Sequence, residues 1–251
     1  MLYEIVLTVS ESKRLIAKGV AALPAVKKAL AEGTVAIATG STNAYVVEEL
    51  TGKPIEKNKY MTGATLPAGV SAKGLLSREL PDVVLKNGSR VENTLTTDAI
   101  TDMGPGDVFI KGANAVHYQT GRAGVLIGHP TGGTVGAVIG CIVARRITFI
   151  VPVGLEKCVA EPIEDVQAFM GGDRESRGAV PSLWPVDAQI ITEIEALKIL
   201  TGADAMQSAA GGLAGAEGAV RLVVRGTEEQ IARAAELAEA IHGEPPFVRN
   251  T

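Results

Sequence analysis

A small polar turn near residue 40 has the residue types of an anion-binding loop. Residues 35–38 are apolar and predict a buried strand, and helical spacing begins at Ala44. This order places free backbone N–H groups at a helix N-terminus, where phosphate or carboxylate groups bind. The alternative is an ordinary strand–helix turn whose hydroxyls only cap the helix. The residues of the turn are Thr39, Gly40, Ser41, Thr42 and Asn43.

Three further predicted strands, over residues 108–110, 124–128 and 147–151, also end in polar residues. Open parallel sheets bind ligands at the carboxyl ends of their strands, so these strand ends predict one small-molecule site. The alternative is that they are simple turns. The predicted site residues beyond the first turn are Lys111, Gly112, Asn114, His129, Thr131, Gly132, Gly133, Thr134 and Glu156.

Three of these residues could perform chemistry. Lys111 could hold a phosphate or polarise a carbonyl oxygen, and His129 could donate to a substrate or transfer a proton. Glu156 could act as a general base. Each has a simpler interpretation: a solvated lysine, a turn histidine before proline, and a surface Glu-Lys pair. We expect neither a metal site nor a cofactor, because His117 and His242 lack a metal-ligand pattern.

Residues 10–50 resemble the amino-terminal segment of the ribose-5-phosphate isomerase A group. That group belongs to a superfamily with glucosamine-6-phosphate deaminase and the CoA transferases. The similar features are helices over 12–22 and 25–31, an apolar strand and the Thr-Gly-Ser-Thr run at 39–42. In the isomerases this loop holds the sugar phosphate. Residues 107–114 are similar to the strand and Lys-Gly run of the same enzymes.

The isomerase acid–base residues are not matched. The group has an aspartate-rich run before Lys-Gly, where this chain has only Asp98, Asp102 and Asp107. It also has a glutamate shortly after Lys-Gly, whereas residues 116–122 carry no carboxylate. The resemblance therefore implies binding of a small anionic, phosphorylated metabolite, with a sugar-phosphate isomerase-like enzyme as one hypothesis. The alternatives are a non-catalytic metabolite-sensing protein and a CoA or acyl transferase-like enzyme.

Composition limits the partners. The chain of 251 residues has a formal net charge of −4, which argues against nucleic acid or an anionic membrane surface as partner. No secretory signal is expected, and the uncharged stretch at 124–144 is broken by residues 129–133 into pieces too short to span a membrane. Two cysteines without metal-ligand spacing suggest a reducing compartment. We expect a cytoplasmic homo-oligomer.

The predicted fold is α/β, with a Rossmann-like parallel sheet in residues 1–157. Residues 51–106 are expected to form a β-rich excursion, in which Asn87-Gly88 predicts a hairpin turn. Residues 158–185 are a predicted linking segment. Residues 186–251 are expected to form a small α+β unit of ferredoxin-like type.

Overall fold

The computed structural model describes residues 1–71, 73, 75–172, 175–178 and 180–247. Positions 72 and 74 of the predicted excursion, 173, 174 and 179 of the predicted linking segment, and 248–251 of the predicted α+β unit lie outside the described residues. The elements in chain order are β1 (Leu2–Leu7), α1 (Val9–Ala22), α2 (Pro24–Glu32), β2 (Thr34–Ile37), α3 (Ser41–Thr51), β3 (Val83–Lys86), β4 (Ser89–Arg90), α4 (Thr96–Ala99), β5 (Val108–Ile110), β6 (Ala115–His117), β7 (Arg122–Ile127), α5 (Gly133–Arg145), β8 (Thr148–Pro152), α6 (Ile163–Met170), β9 (Ser182–Val186), β10 (Gln189–Ile191), α7 (Glu193–Thr201), β11 (Asp204–Ala210), β12 (Val220–Arg225) and α8 (Glu228–Ile241).

The described residues form a mixed α/β fold with eight helices and a six-stranded, mostly parallel sheet. The strand order is β10-β8-β5-β2-β3-β4, in which the first four strands are parallel and β3 and β4 are antiparallel. Every residue of β5 is buried, because helices and loops cover both faces of the sheet there. The strands predicted over residues 35–38, 108–110 and 147–151 are confirmed as β2, β5 and β8.

The predicted hairpin joins β3 to β4. Asn87 and Gly88 have φ angles of 49° and 76°, and positive φ at both central residues is what a two-residue hairpin turn with matching twist requires. β3 then pairs antiparallel with β2 and extends the large sheet. The excursion therefore adds strands to the large sheet at one edge.

The predicted parallel arrangement is wrong for the strand over residues 124–128. This strand is β7, and it lies in a separate antiparallel sheet of order β6-β7-β9. Only a short 3-10 turn at Tyr118–Thr120 and Gly121 connects β6 to β7, whereas a parallel neighbour needs a crossover of a dozen or more residues. The third strand and its covering helix α6 come from the segment that was predicted to be only a linker.

The small sheet has the antiparallel order β1-β12-β11. It takes its first strand from the amino-terminal end of the chain, with Leu2 opposite Arg225 and Leu7 opposite Val220. The strand predicted over residues 188–192 is β10, which pairs with β8 at the edge of the large sheet. The division of the chain into the three predicted regions stays a prediction.

Helix α1 begins at Val9, three residues before the predicted start at residue 12. Its N-cap is Thr8, because Glu11 lies three residues after Thr8 and completes a capping box with it. The helix packs against α3 and α7. Gly19 allows the close approach to α7, since a Cβ there would lie 2.6 Å from the Cβ of Ala196.

Three glycines spaced four apart at the start and along α5 have different surroundings. A Cβ on Gly132 would lie 2.8 Å from the Trp184 ring of β9, and one on Gly136 would overlap the carbonyl oxygen of Thr131. A Cβ on Gly140 would meet nothing within 4 Å. In the described part of the chain, no helix is both long and apolar enough to cross a membrane.

Candidate functional site

A cavity of about 960 Å³ lies at the carboxyl ends of β2 and β5. The N-termini of α3 and α5, strand β7 and the loop of residues 61–66 form its other walls. Three of the four predicted strand ends therefore meet at one place. The predicted site residues that line the cavity are Thr39, Gly40, Ser41, Thr42, Lys111, Gly112, Asn114, His129, Gly132, Gly133 and Thr134.

Three predicted site residues do not line the cavity. Asn43 is buried, and its Nδ2 donates to the carbonyl of Ala38 at 2.7 Å, so it fixes the loop. Thr131 is exposed, with its hydroxyl 2.9 Å from His129 Nδ1. Glu156 does not line the cavity, and its buried Oε2 has no hydrogen-bond partner within the described residues.

The turn before α3 is held by contacts from the excursion. The Thr39 N–H donates to Asp82 Oδ1 at 3.2 Å, and the Gly40 N–H donates to the carbonyl of Tyr60 at 3.0 Å. The Tyr60 hydroxyl in turn donates to the carbonyl of Ile37 at 2.6 Å. The last residue of β2 and the turn are therefore anchored to one tyrosine.

The N-terminus of α3 has polar groups that lack a partner. Gly40 is the N-cap and supplies no side chain, so no side chain satisfies the first N–H groups. Thr42 is only 2% exposed, and its Oγ1 has no partner among the described residues although it lines the cavity. A buried hydroxyl without a hydrogen bond is costly, so a ligand atom that accepts or donates here would remove the cost.

The N-terminus of α5 reaches the cavity through two glycines. Gly132 and Gly133 have φ angles of 85° and 56°, which favour glycine. A Cβ on Gly132 would also lie 2.8 Å from the Trp184 ring. This helix has no side-chain cap either, so a second group of N–H donors lies at the cavity wall.

Three lysines line the cavity: Lys13, Lys111 and Lys157. The Lys157 Nζ donates to the carbonyl of Ala113 at 3.0 Å, and the Lys111 Nζ donates to the carbonyl of Gly112 at 3.4 Å. Within the described residues, no Asp or Glu side chain lines the cavity. Desolvation by burial and repulsion from Lys157 lower the pKa of Lys111 to about 8, although Asp82 opposes the shift.

Lys13 is a cavity residue that the sequence interpretation missed. It is only 8% exposed, and burial lowers its pKa to about 8, with Glu156 opposing and Lys157 adding to the shift. The available signal was the helical spacing, since Lys13 shares the buried face of α1 with Ile16, Ala17 and Val20. Lysine side chains are almost never fully buried without a charged partner, so a lysine on the buried, apolar face of a helix is a candidate functional residue.

A second missed residue is Glu193, which is fully buried at the start of α7. Its carboxylate accepts the N–H of Leu155 at 2.9 and 3.2 Å. Burial, and then the nearby charge of Glu156, raise the pKa of Glu193 to about 7. The buried Glu193 carboxyl group therefore lies close enough to Glu156 for the two charges to interact.

The chain segment after α8 closes one side of the cavity. Glu244 pairs with Arg14 at 2.8 Å, and Arg14 lies 4.9 Å from the centroid of the Tyr45 ring. Three residues later, Phe247 lines the cavity, and its ring centroid is 5.6 Å from the Lys13 Nζ. The ion pair thus holds an apolar wall beside a buried amine.

Comparison with known proteins gives no family for this chain. No protein-family model matches it, and neither the curated proteins nor the solved structures show a significant match. Among the residues that the structure describes, no group of three or more His, Cys, Asp or Glu side chains could hold a metal ion.

Proposed function

We propose that this chain binds a small anionic, phosphorylated metabolite in the cavity. The observation that carries the proposal is the charge of the wall, where three lysines and, within the described residues, no carboxylate face one space. The whole chain has a net charge of −4, so this local excess of positive charge opposes the overall balance. A concave site of one sign concentrates ligands of the opposite sign.

The phosphate group belongs at the N-terminus of α3. Uncapped N–H groups and the partial positive charge of a helix N-terminus favour an anion there. The unpartnered Thr42 hydroxyl adds a donor, and Lys111 adds a charge that a phosphate would neutralise. The apolar part of the wall, which includes Leu66, Leu76 and Val125, would contact the carbon skeleton.

The finer features of the proposal rest on the sequence patterns and, for the isomerase-like chemistry, on the sequence resemblance. They are a Rossmann-like arrangement of the sheet, a ferredoxin-like carboxyl-terminal unit, sugar-phosphate isomerase-like chemistry, and a cytoplasmic homo-oligomer. An isomerase also needs a base, and His129 lines the cavity while Glu156 does not. His129 is therefore the proposed proton-transfer residue of an isomerase-like enzyme.

A second candidate is a non-catalytic protein that senses the same metabolite. The lack of a lining carboxylate in the described wall favours it, because isomerase chemistry usually uses one as its base. A CoA or acyl transferase-like enzyme is a third candidate, and acyl-CoA ligands test for it.

Isothermal titration calorimetry with ribose 5-phosphate, ribose and acetyl-CoA tests the binding proposal. We expect binding of the sugar phosphate and none of ribose. Lys111→Met should weaken binding by about 1.5–3 kcal/mol, the value of a charge-assisted hydrogen bond. Lys27→Met is the matched control, because Lys27 is an exposed lysine of α2 that does not line the cavity. Equal affinity for ribose and its phosphate would overturn the proposal.

A second variant tests the place of the phosphate. Thr42→Val keeps the shape of the side chain and removes only the buried hydroxyl. We expect weaker sugar-phosphate binding with no loss of stability, since the hydroxyl has no partner in the described protein. Proton exchange from the bound sugar phosphate into deuterated water, followed by NMR, separates an isomerase-like enzyme from a sensor.

A further inference from the structure

The Lys13 amine differs from the other two lysines of the cavity. Lys111 and Lys157 each donate to a backbone carbonyl. The Lys13 Nζ has no hydrogen bond and no ion pair within 4 Å to any described residue, although the residue is more than nine-tenths buried. It lies 5.6 Å from the centroid of the Phe247 ring. Lys13 therefore lines the cavity with an amine that has no hydrogen-bond partner among the described residues.

The surroundings of Lys13 favour its neutral, nucleophilic form. Desolvation and a nearby second cation are the two ways in which proteins activate a lysine amine. Desolvation is the main cause here, because the side chain is buried, and the pKa falls to about 8. Glu156 opposes the shift more strongly than repulsion from Lys157 adds to it. A substantial fraction of Lys13 is neutral near pH 8.

We propose that Lys13 forms a Schiff base with an aldehyde or ketone that carries a phosphate group, and this inference rests on the proposed function of the cavity. The neutral Nζ attacks the carbonyl carbon, and the electron pair of the C=O bond moves to oxygen, which takes a proton from the attacking nitrogen. The resulting carbinolamine loses its hydroxyl as water with a proton from solvent. The nitrogen lone pair then forms the C=N bond, and the imine nitrogen carries the remaining proton.

Reductive trapping tests the proposal on the full chain. The protein is incubated with dihydroxyacetone phosphate, sodium borohydride is added to reduce any imine, and the adduct is located by peptide mass spectrometry. We expect one adduct, on Lys13, that inorganic phosphate suppresses by competition. Neutral dihydroxyacetone should give far less adduct, because it lacks the anionic anchor.

Two variants complete the test. Lys13→Arg keeps the positive charge but cannot form the imine, so the adduct should be lost while sulfate binding by calorimetry remains. Lys27→Met should leave the Lys13 adduct unchanged. An adduct on Lys111 or spread over exposed lysines, or no adduct at all, would overturn the inference. Sulfate binding that persists in that case would leave the proposed anion site intact, whereas loss of both would remove the proposed function as well.

Discussion

The Asp82 carboxylate accepts the backbone N–H of Thr39 at 3.2 Å and thereby ties the start of β3 to the turn that precedes α3. The same carboxylate accepts the N–H of Thr96 at 3.0 Å and its hydroxyl at 2.6 Å. Asp82 is 4% exposed. One buried side chain outside the cavity therefore fixes the position of the proposed phosphate loop.

Asp82→Asn should lower both stability and ligand affinity. An amide cannot accept from all three donors, so at least one buried N–H or O–H loses its partner, at a cost of about 1–3 kcal/mol. Urea unfolding and sugar-phosphate calorimetry measure the two effects. Thr96→Val is the control, because it removes only one donor and leaves the Thr39 contact in place. Normal ligand affinity in the Asp82→Asn variant would show that the loop does not depend on this anchor.

Sulfate affinity should fall as the pH rises through about 8. The pKa values of Lys13 and Lys111 are both near 8, and an anion binds best to the protonated amines, so binding is full below that pH and is lost above it. Lys157, Glu156, Asp82 and His129 are the other charged or titratable groups near these amines. Sulfate remains a dianion throughout this pH range. Any change in its measured affinity therefore comes from protonation of groups on the protein.

The matched variant for this pH dependence is the double change Lys13→Arg and Lys111→Arg. Guanidinium groups stay protonated in this range, so the decline near pH 8 should disappear. A wild-type profile that is flat from pH 7 to about pH 9 would contradict the expected titration of these lysines.

Glu193 should make the protein less stable as the pH rises from 4.5 to about 7. Its pKa is raised from 4.5 to about 7 on folding, so the folded state binds the extra proton in this window. Unfolding free energy therefore falls by at most about 1.4 kcal/mol per pH unit from this group. Glu193→Gln keeps an acceptor for the Leu155 N–H and should remove this slope in urea unfolding. If the slope of the variant equals that of the wild type, Glu193 is ionised when folded.

Two glycine-to-alanine changes should have opposite effects. Both Gly19 in α1 and Gly140 in α5 lie inside helices, where alanine gains about 1 kcal/mol over glycine. A Cβ at position 19 would lie 2.6 Å from the Ala196 Cβ, so overpacking of about 1–3 kcal/mol outweighs the gain. Gly140→Ala meets nothing within 4 Å and should stabilise the protein. Thermal unfolding of the two variants measures the change in stability. If both substitutions stabilise the protein, α1 and α7 can separate slightly to accommodate the added methyl group.

Local sequence patterns could predict elements but not all of their partners. Some elements could be predicted from their own residues alone. They are the apolar strands β2, β5 and β8 and the hairpin turn at Asn87-Gly88. A short apolar run such as β7 looks the same in a parallel or an antiparallel sheet, which is why its sheet was assigned wrongly. The pairing of β1 with β12 joins residues that are distant in sequence, so it cannot be predicted from the hydrophobic periodicity of either strand.

Only part of the cavity could be predicted from local sequence. The turn before α3 could be, because strand, turn and helix are consecutive in the chain. Lys13 and Phe247 could not, since each reaches the cavity through helix packing and an ion pair far from that turn. Glu156 was placed at the site because it follows a strand, but its side chain does not line the cavity, and its Oε2 lies beside Gly154.

The pairing of β1 with β12 has a consequence for synthesis on the ribosome. The Met1 amino group donates to the carbonyl of Gly226, across 225 positions of the chain. At 5–20 residues per second, β1 waits roughly 10–45 s for its partner to be made. During that time both edges of β1, and its apolar Ile5 and Leu7, are unpaired in the nascent chain. β1 is thus synthesised well before its partner β12, and its open edges need protection until that strand follows.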